Sequence, residues 1–203
     1  MTTTVNPATA VAAVVRAVAR SSPTTGLFAE SSTSMFHLTR AVAELGSAPY
    51  CRFSSHYGSM GHAIAGAVGF CVATGMRAVV LTGDGSFDLM NPMPIAVKHR
   101  LLLTMVVLND ARLGLPFFGT ERVGASLAQA TTHLAPWDFT RQGSPLVGGR
   151  RVLDEAELDG ALSEALSWNG CFVVDVRIDP GIEPPIGARL DSADALFYDA
   201  RGE

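Results

Sequence analysis

The sequence predicts a single α/β domain of three layers, with helices on both sides of a mainly parallel central sheet. Three observations carry this. Apolar runs alternate with helix-like segments along the chain. One run, "LLLTMVVLND", is continuously apolar, as expected of a strand buried on both faces. The 203 residues are 48% hydrophobic and 17% charged, enough to bury one core of ordinary size.

Taken in order, "MTTTVNPATAVAAVVRAVARSSP" reads as an amphipathic helix, with a transit peptide as the lesser alternative. "TGLFAES" is a short strand ending in polar residues. "STSMFHLTRAVAEL" has helical spacing, with Met35, Leu38, Val42 and Leu45 on one side and Gly46 as its stop. "YCRFSS" is a short strand, and "GSMGHAIAGAVGFCVATG" a helix that packs closely through small residues. "RAVVLTGDG" is a strand. "DLMNPMPIAVKHR" is one helix with prolines in its first turn. After the central strand, "DEAELDGALSEALSW" is a helix and "CFVVDVRID" a strand. "PGIEPPIGARLDS" is an irregular exit. The expected organisation is residues 1–25 as helix and connection, 26–185 as the domain, and 186–203 as a tail.

Composition excludes several roles. The net charge is −4 and no block of Lys or Arg occurs, which argues against nucleic acid as a partner. No apolar run reaches the length of a membrane span. Cys51, Cys71 and Cys171 are scattered and lack metal-ligand spacing, as expected of reduced thiols in a cytoplasmic protein. There is neither a G-x-x-x-x-G-K-[ST] loop nor a G-x-G-x-x-G after a strand, so a generic nucleotide-binding domain is a weak reading.

The chemistry gathers at two strand ends, where an α/β sheet binds its ligands. Gly83 and Gly85 free the backbone for a tight turn and close approach to a ligand, Asp84 supplies a carboxylate, and Ser86 a hydroxyl. Asn109 and Asp110 offer oxygens at the second end. A helix starting near the first end would favour an anion. Carboxylate, carbonyl and phosphate oxygens around one hard cation describe Mg²⁺ bound with a diphosphate.

"GDGSF" and "VVLND", separated by a helix and strand, resemble the thiamine-diphosphate signature of 2-oxo acid decarboxylases and their acetolactate-synthase-like relatives. Two departures stand out: the spacing is about one residue short, and Asp110 replaces an asparagine. The resemblance implies a thiamine-diphosphate-binding fold. It implies that Asp84 and Asp110 give Mg²⁺ side-chain oxygens and Arg112 its backbone carbonyl. Gly83, Gly85, Ser86 and Phe87 complete the "GDGSF" contact, while Gly114 and Leu115 of "RLGLPFFG" cover the cofactor. "AESSTS" resembles the diphosphate-reaching stretch of benzoylformate decarboxylase, which assigns this role to Ser32 and Thr33, with Ser31 nearby. An N-cap is the other role open to these residues. "HYGSMGHAIAGAVG" resembles the segment that props the cofactor in its bent form, which assigns Met60 to that task between Gly58-Ser59 and Gly61. A lone Met is otherwise a core residue.

The resemblance covers only the diphosphate-binding domain. The glutamate that activates the cofactor belongs to the pyrimidine-binding domain, so it is expected on a separate partner subunit, with two of each chain, as in relatives of sulfopyruvate decarboxylase. The expected reaction is non-oxidative decarboxylation of a small 2-oxo acid, ending in an aldehyde or in carboligation. An acetolactate-synthase-like carboligase subunit and a non-catalytic regulatory homologue are the alternatives. His56 and His62 flank the Met60 loop; surface or packing roles are their default, with proton relay as the other option. Phe117 and Phe118 line the substrate pocket or meet the partner. His133 and Trp137 carry no functional argument.

Overall fold

The computed structural model describes residues 4–46, 50–53, 57–122 and 124–186. His56 and the tail beyond residue 186 lie outside the described residues. Among the described residues there are six strands: β1 (Gly26–Ala29), β2 (Cys51–Phe53), β3 (Ala78–Gly83), β4 (Leu103–Asn109), β5 (Val147–Val152) and β6 (Cys171–Arg177). They form one sheet in the order β2-β1-β3-β4-β6-β5, with every neighbouring pair parallel. The helices are α1 (Pro7–Arg20), α2 (Thr33–Leu45), α3 (His62–Thr74), α4 (Asp84–Leu89), α5 (Met93–Lys98), α6 (Gly114–Glu121), α7 (Ala125–Thr132) and α8 (Leu158–Ser167).

Side chains alternate across the sheet, and each set has its own helical cover. Leu27, Val79, Leu81, Val106, Leu108 and Val174 meet α1, α2 and α8 in one core. Phe28, Val80, Met105, Val107 and Val173 meet α3, α4 and α5 in the other. The four inner strands β1, β3, β4 and β6 are buried on both faces, which explains why they read as unbroken apolar runs, whereas β2 and β5 at the edges are largely exposed. From β1 the chain crosses by α2 to β2 on one side, then by α3 back to β3 on the other side of β1. The strand order therefore reverses between β1 and β3, and a crevice opens outside their carboxyl ends.

Local sequence explains the boundaries. Gly46 ends α2 at φ 69°, and Asn6 caps α1 by accepting from the Ala8 N–H at 2.8 Å, with Pro7 following. The N-terminal helix packs into the same core as α2 and α8, and Val5 bridges to Ile178 just beyond β6.

Two expectations change. The single helix over "DLMNPMPIAVKHR" is two short ones, α4 and α5. Pro92 lacks an N–H and disfavours the helical conformation at Asn91, so the chain breaks there. The first of these helices starts at Asp84, inside the "GDG". In addition, β5, α6 and α7 lie in stretches to which the sequence assigned no element. In β5, Gly148 leaves room for the Phe172 ring, which a Cβ would meet at 2.4 Å.

Candidate functional site

The carboxyl ends of β1, β3 and β4 surround a cavity of about 350 Å³. It gathers Ser31, Ser32 and Thr33 from the β1 end, and Gly58 and Met60 from the loop before α3. Gly83, Asp84, Gly85 and Ser86 come from the β3 end, and Asp110, Arg112, Gly114 and Leu115 from the β4 end. Thirteen sequence-predicted residues are thus brought together.

Two are not. Phe87 is fully buried and packs edge-on against Phe139 at 5.4 Å, so its side chain serves the core. Its apolar ring follows the inward face of α4, away from the cavity. Ser59 is exposed and does not line the cavity. Asn109 also turns away. Its amide donates to Asp175 Oδ1 and the Trp137 carbonyl, both at 2.9 Å, and its oxygen accepts from Arg177 at 2.8 Å. It locks β4 to β6 instead of offering an oxygen to a cation.

The carboxylates dominate the electrostatics. Asp84 is 2% exposed; one oxygen accepts from the Gly85 N–H at 2.8 Å and the other from the Arg112 N–H at 3.3 Å. Burial, followed by the nearby charge of Asp110, pushes its carboxyl up to about 7. Burial also raises Asp110, against the pull of Arg112. Asp110 and Arg112 form an ion pair at 2.7 Å with both side chains nearly enclosed. Arg112 in turn bonds the Pro180 carbonyl and lies over the Phe117 ring at 3.8 Å and the Phe118 ring at 5.0 Å. These two phenylalanines therefore clamp Arg112, and Phe118 is buried. A divalent cation between Asp84 and Asp110 would relieve the repulsion that raises Asp84. Among the described residues no cluster of three His, Cys, Asp or Glu side chains exists, so the remaining ligands must be backbone, water or phosphate oxygens.

The backbone leaves room for an anion. Ser32 caps α2, bonding the Ser34 N–H at 3.3 Å, and lines the cavity as well, so one residue serves both as helix cap and as cavity wall. A Cβ on Gly114 would stand 3.0 Å from the Thr33 methyl and 3.8 Å from Asp110 Oδ2. The glycines of "GDG" have a narrower purpose than expected. Gly83 is ordinary extended backbone at φ −84°, whereas Gly85 lets the end of the Leu113 side chain pack directly over it, 2.4 Å from where a Cβ would stand. Ala111, between the two site residues of the β4 end, is left-handed at φ 57°.

Sequence reasoning missed Glu30. It lies in the quoted "AESSTS" yet is fully buried, and accepts from the N–H groups of Gly61 and Ile64, both at 2.9 Å. The signal was an acid at the end of an apolar strand, facing a glycine-rich helix start. His62, at the exposed start of α3, does not line the cavity. A second hollow of about 580 Å³ shares Asp110 and Arg112 and includes Phe117 and His133, which meet edge to face at 6.3 Å.

Residues 34–176 match the family described as "Thiamine pyrophosphate enzyme, C-terminal TPP binding domain", thiamine pyrophosphate being thiamine diphosphate. The chain belongs to this family. It is 32% identical over 148 residues to a Bacillus subtilis (strain 168) protein named as thiamine pyrophosphate-containing, YdaP, covering 71% of this chain and 25% of that one. It is 31% identical over 141 residues to a Mycobacterium tuberculosis (H37Rv) protein named as an acetolactate synthase large subunit, IlvB2, covering 64% and 24%. The chain thus spans about a quarter of the length of these curated relatives. The crystal structure of benzoylformate decarboxylase from Polynucleobacter necessarius superposes with a TM-score of 0.70 at 24% identity, over 86% of this chain and 34% of that one. This likeness concerns the fold. Among the described residues no helix is long and apolar enough to cross a membrane.

Proposed function

We propose that the cavity holds the diphosphate of thiamine diphosphate through Mg²⁺, with Asp84, Asp110 and the Arg112 carbonyl as protein ligands. The observation that carries this is the pair of enclosed carboxylates at adjacent strand ends, one of them pushed up to about 7. Such a pair is unfavourable on its own and is stabilised by a hard cation. Ser32 and Thr33 would bind the phosphate oxygens, and Gly114, against the Thr33 side chain, would keep that wall of the cavity clear. Met60 supports the organic part of the cofactor, and Arg112 offsets the extra charge that Asp110 brings beside a diphosphate.

When bound, thiamine diphosphate supplies the electron sink for the pair left when CO₂ departs from a 2-oxo acid. This chain's part is to orient the cofactor and keep its charged end out of water. The activating glutamate and the pyrimidine contacts come from a separate subunit carrying a pyrimidine-binding domain, two copies of each chain forming the enzyme. An apolar rim supports such a partner: Leu89, Met90 and Ile95 are exposed, and Met90 touches the Gly61 turn beside the exposed Met60. The reaction is decarboxylation of a 2-oxo acid to an aldehyde, or carboligation to an acceptor. The relative named as an acetolactate synthase subunit favours the second ending. The three free cysteines suit a cytoplasmic setting.

Calorimetry of thiamine diphosphate, with Mg²⁺ and with EDTA, tests the binding half on wild type and Asp84→Ala. Mg²⁺-dependent binding lost in the variant is expected; equal heats in both proteins would remove the metal assignment. With a pyrimidine-domain subunit added, 2-oxo acid consumption is the readout of the catalytic half.

A further inference from the structure

Glu30 is an acid in a place where an acid is expensive. It is fully buried, and no side-chain cation pairs with it among the described residues. Its two oxygens instead accept one backbone N–H each, from Gly61 and Ile64 at 2.9 Å. Both lie at the start of the thirteen-residue helix α3, whose N-terminus favours a negative charge. The backbone of Glu30 is tied elsewhere: its N–H donates to the Leu81 carbonyl at 2.9 Å and its carbonyl accepts from the Ser32 N–H at 2.8 Å.

One residue thus joins two walls of the cavity by different groups. Its main chain holds the Ser32–Thr33 wall, and its side chain holds the Gly58–Gly61 loop. That loop needs holding. Gly58 and Gly61 have φ of +61° and +87°, a conformation that free glycine does not favour over its alternatives. Among the described residues, Glu30 is the side chain that takes a hydrogen bond from residues 57–61. Met60, next to Gly61, lines the cavity while being 44% exposed, so packing alone does not fix it.

Resting on the cofactor reading above, we infer that Glu30 is a positioning residue that pre-sets the Met60 loop. It thereby governs affinity for the organic part of thiamine diphosphate and leaves affinity for the diphosphate itself alone. An unset loop must be ordered by the ligand, which lowers affinity. In Glu30→Gln, the amide NH₂ faces one of the two N–H donors, so one bond is lost and the loop is released. The main-chain bonds to Leu81 and Ser32 remain.

The test compares two probes on the full chain with Mg²⁺, inorganic pyrophosphate and thiamine diphosphate, by calorimetry. Wild type should prefer thiamine diphosphate. Glu30→Gln should bind it about tenfold more weakly or worse, with pyrophosphate affinity unchanged. Equal weakening of both probes would make Glu30 a merely structural residue and overturn the inference. So would equal affinity for the two probes in wild type. Binding of neither probe to wild type would instead overturn the diphosphate site, and this inference with it. Should Glu30→Gln fail to fold, amide exchange on ligand-free wild type decides. Slow exchange at Gly61 and Ile64 is expected; fast exchange at these two sites in an otherwise protected α3 would refute a pre-set loop.

Discussion

Asp110→Asn is the most informative single substitution, because Asp110 has two partners pulling in opposite directions. Toward Arg112 it is half of an enclosed ion pair at 2.7 Å. Replacing it leaves the guanidinium facing a neutral acceptor, a loss of about 1.5–3 kcal/mol for a hydrogen bond to a charged group. The ceiling is the roughly 3–5 kcal/mol of breaking a buried pair outright. Toward Asp84 it is a like charge that, after burial, helps push that carboxyl up to about 7. Removing it lets Asp84 ionise more easily and returns part of the loss at neutral pH. The ligand-free variant should therefore be less stable by about 1–2 kcal/mol near pH 8, or roughly 2–8 °C in Tm. Affinity for free Mg²⁺ should fall, because one formal charge is gone. Affinity for Mg²⁺ with diphosphate should stay within about threefold, because the same change reduces repulsion of the phosphates. Urea unfolding and calorimetry read these quantities. Unchanged stability would refute the pairing with Arg112, and complete loss of Mg²⁺–diphosphate binding by a folded variant would refute the compensation argument.

Four further outcomes are expected. The folded pKa of Asp84 lies above its unfolded value, so its contribution to ligand-free stability is present below about pH 4 and lost as pH rises through about 7, on the order of 4 kcal/mol in all; chemical unfolding at pH 5 and 8 should show this slope in wild type and lack it in Asp84→Asn. Gly114→Ala puts a methyl 3.0 Å from the Thr33 methyl at the cavity wall, and calorimetry should show diphosphate affinity reduced by about tenfold with little change in Tm. Ala111→Gly relieves a left-handed alanine and should raise stability by about 1 kcal/mol in urea unfolding. His37 is buried with both ring nitrogens unpartnered, and burial pulls its pKa down, so His37→Leu should add about 1–2 kcal/mol, the gain growing as pH falls below about 6.5.

The parts of this molecule legible from sequence are those where one local pattern decides the outcome. β3 and β4 are long, apolar and end on polar residues, so both the strands and the gathering of those polar residues at one end of the sheet could be read directly. The "GDG" and "ND" breaks meet across neighbouring parallel strands, which their spacing through one crossover already implied. The rest depended on tertiary contact. β5 has apolar residues only at its ends, and its Gly148 and Gly149 are explained by the Phe172 ring and the Thr140 backbone pressing against them. α6 and α7 carry weak patterns and lean on each other. Asn109 reads as a ligand because it adjoins Asp110, yet the alternation of β4 sends its side chain the other way, to Asp175 and Arg177. Glu30 stands out in the sequence only as an acid at the end of an apolar strand; its role was not legible, because its partners are backbone groups more than thirty residues away.

The central claim is that the ends of β3 and β4 hold a divalent cation together with a diphosphate. Its most direct test is anomalous diffraction from crystals of the full chain grown with Mn²⁺ and thiamine diphosphate. The account predicts one strong peak between the carboxylates of Asp84 and Asp110, with phosphate density on the Ser32–Thr33 side. Cofactor density with no metal peak there, or a metal peak elsewhere in the fold, would contradict it.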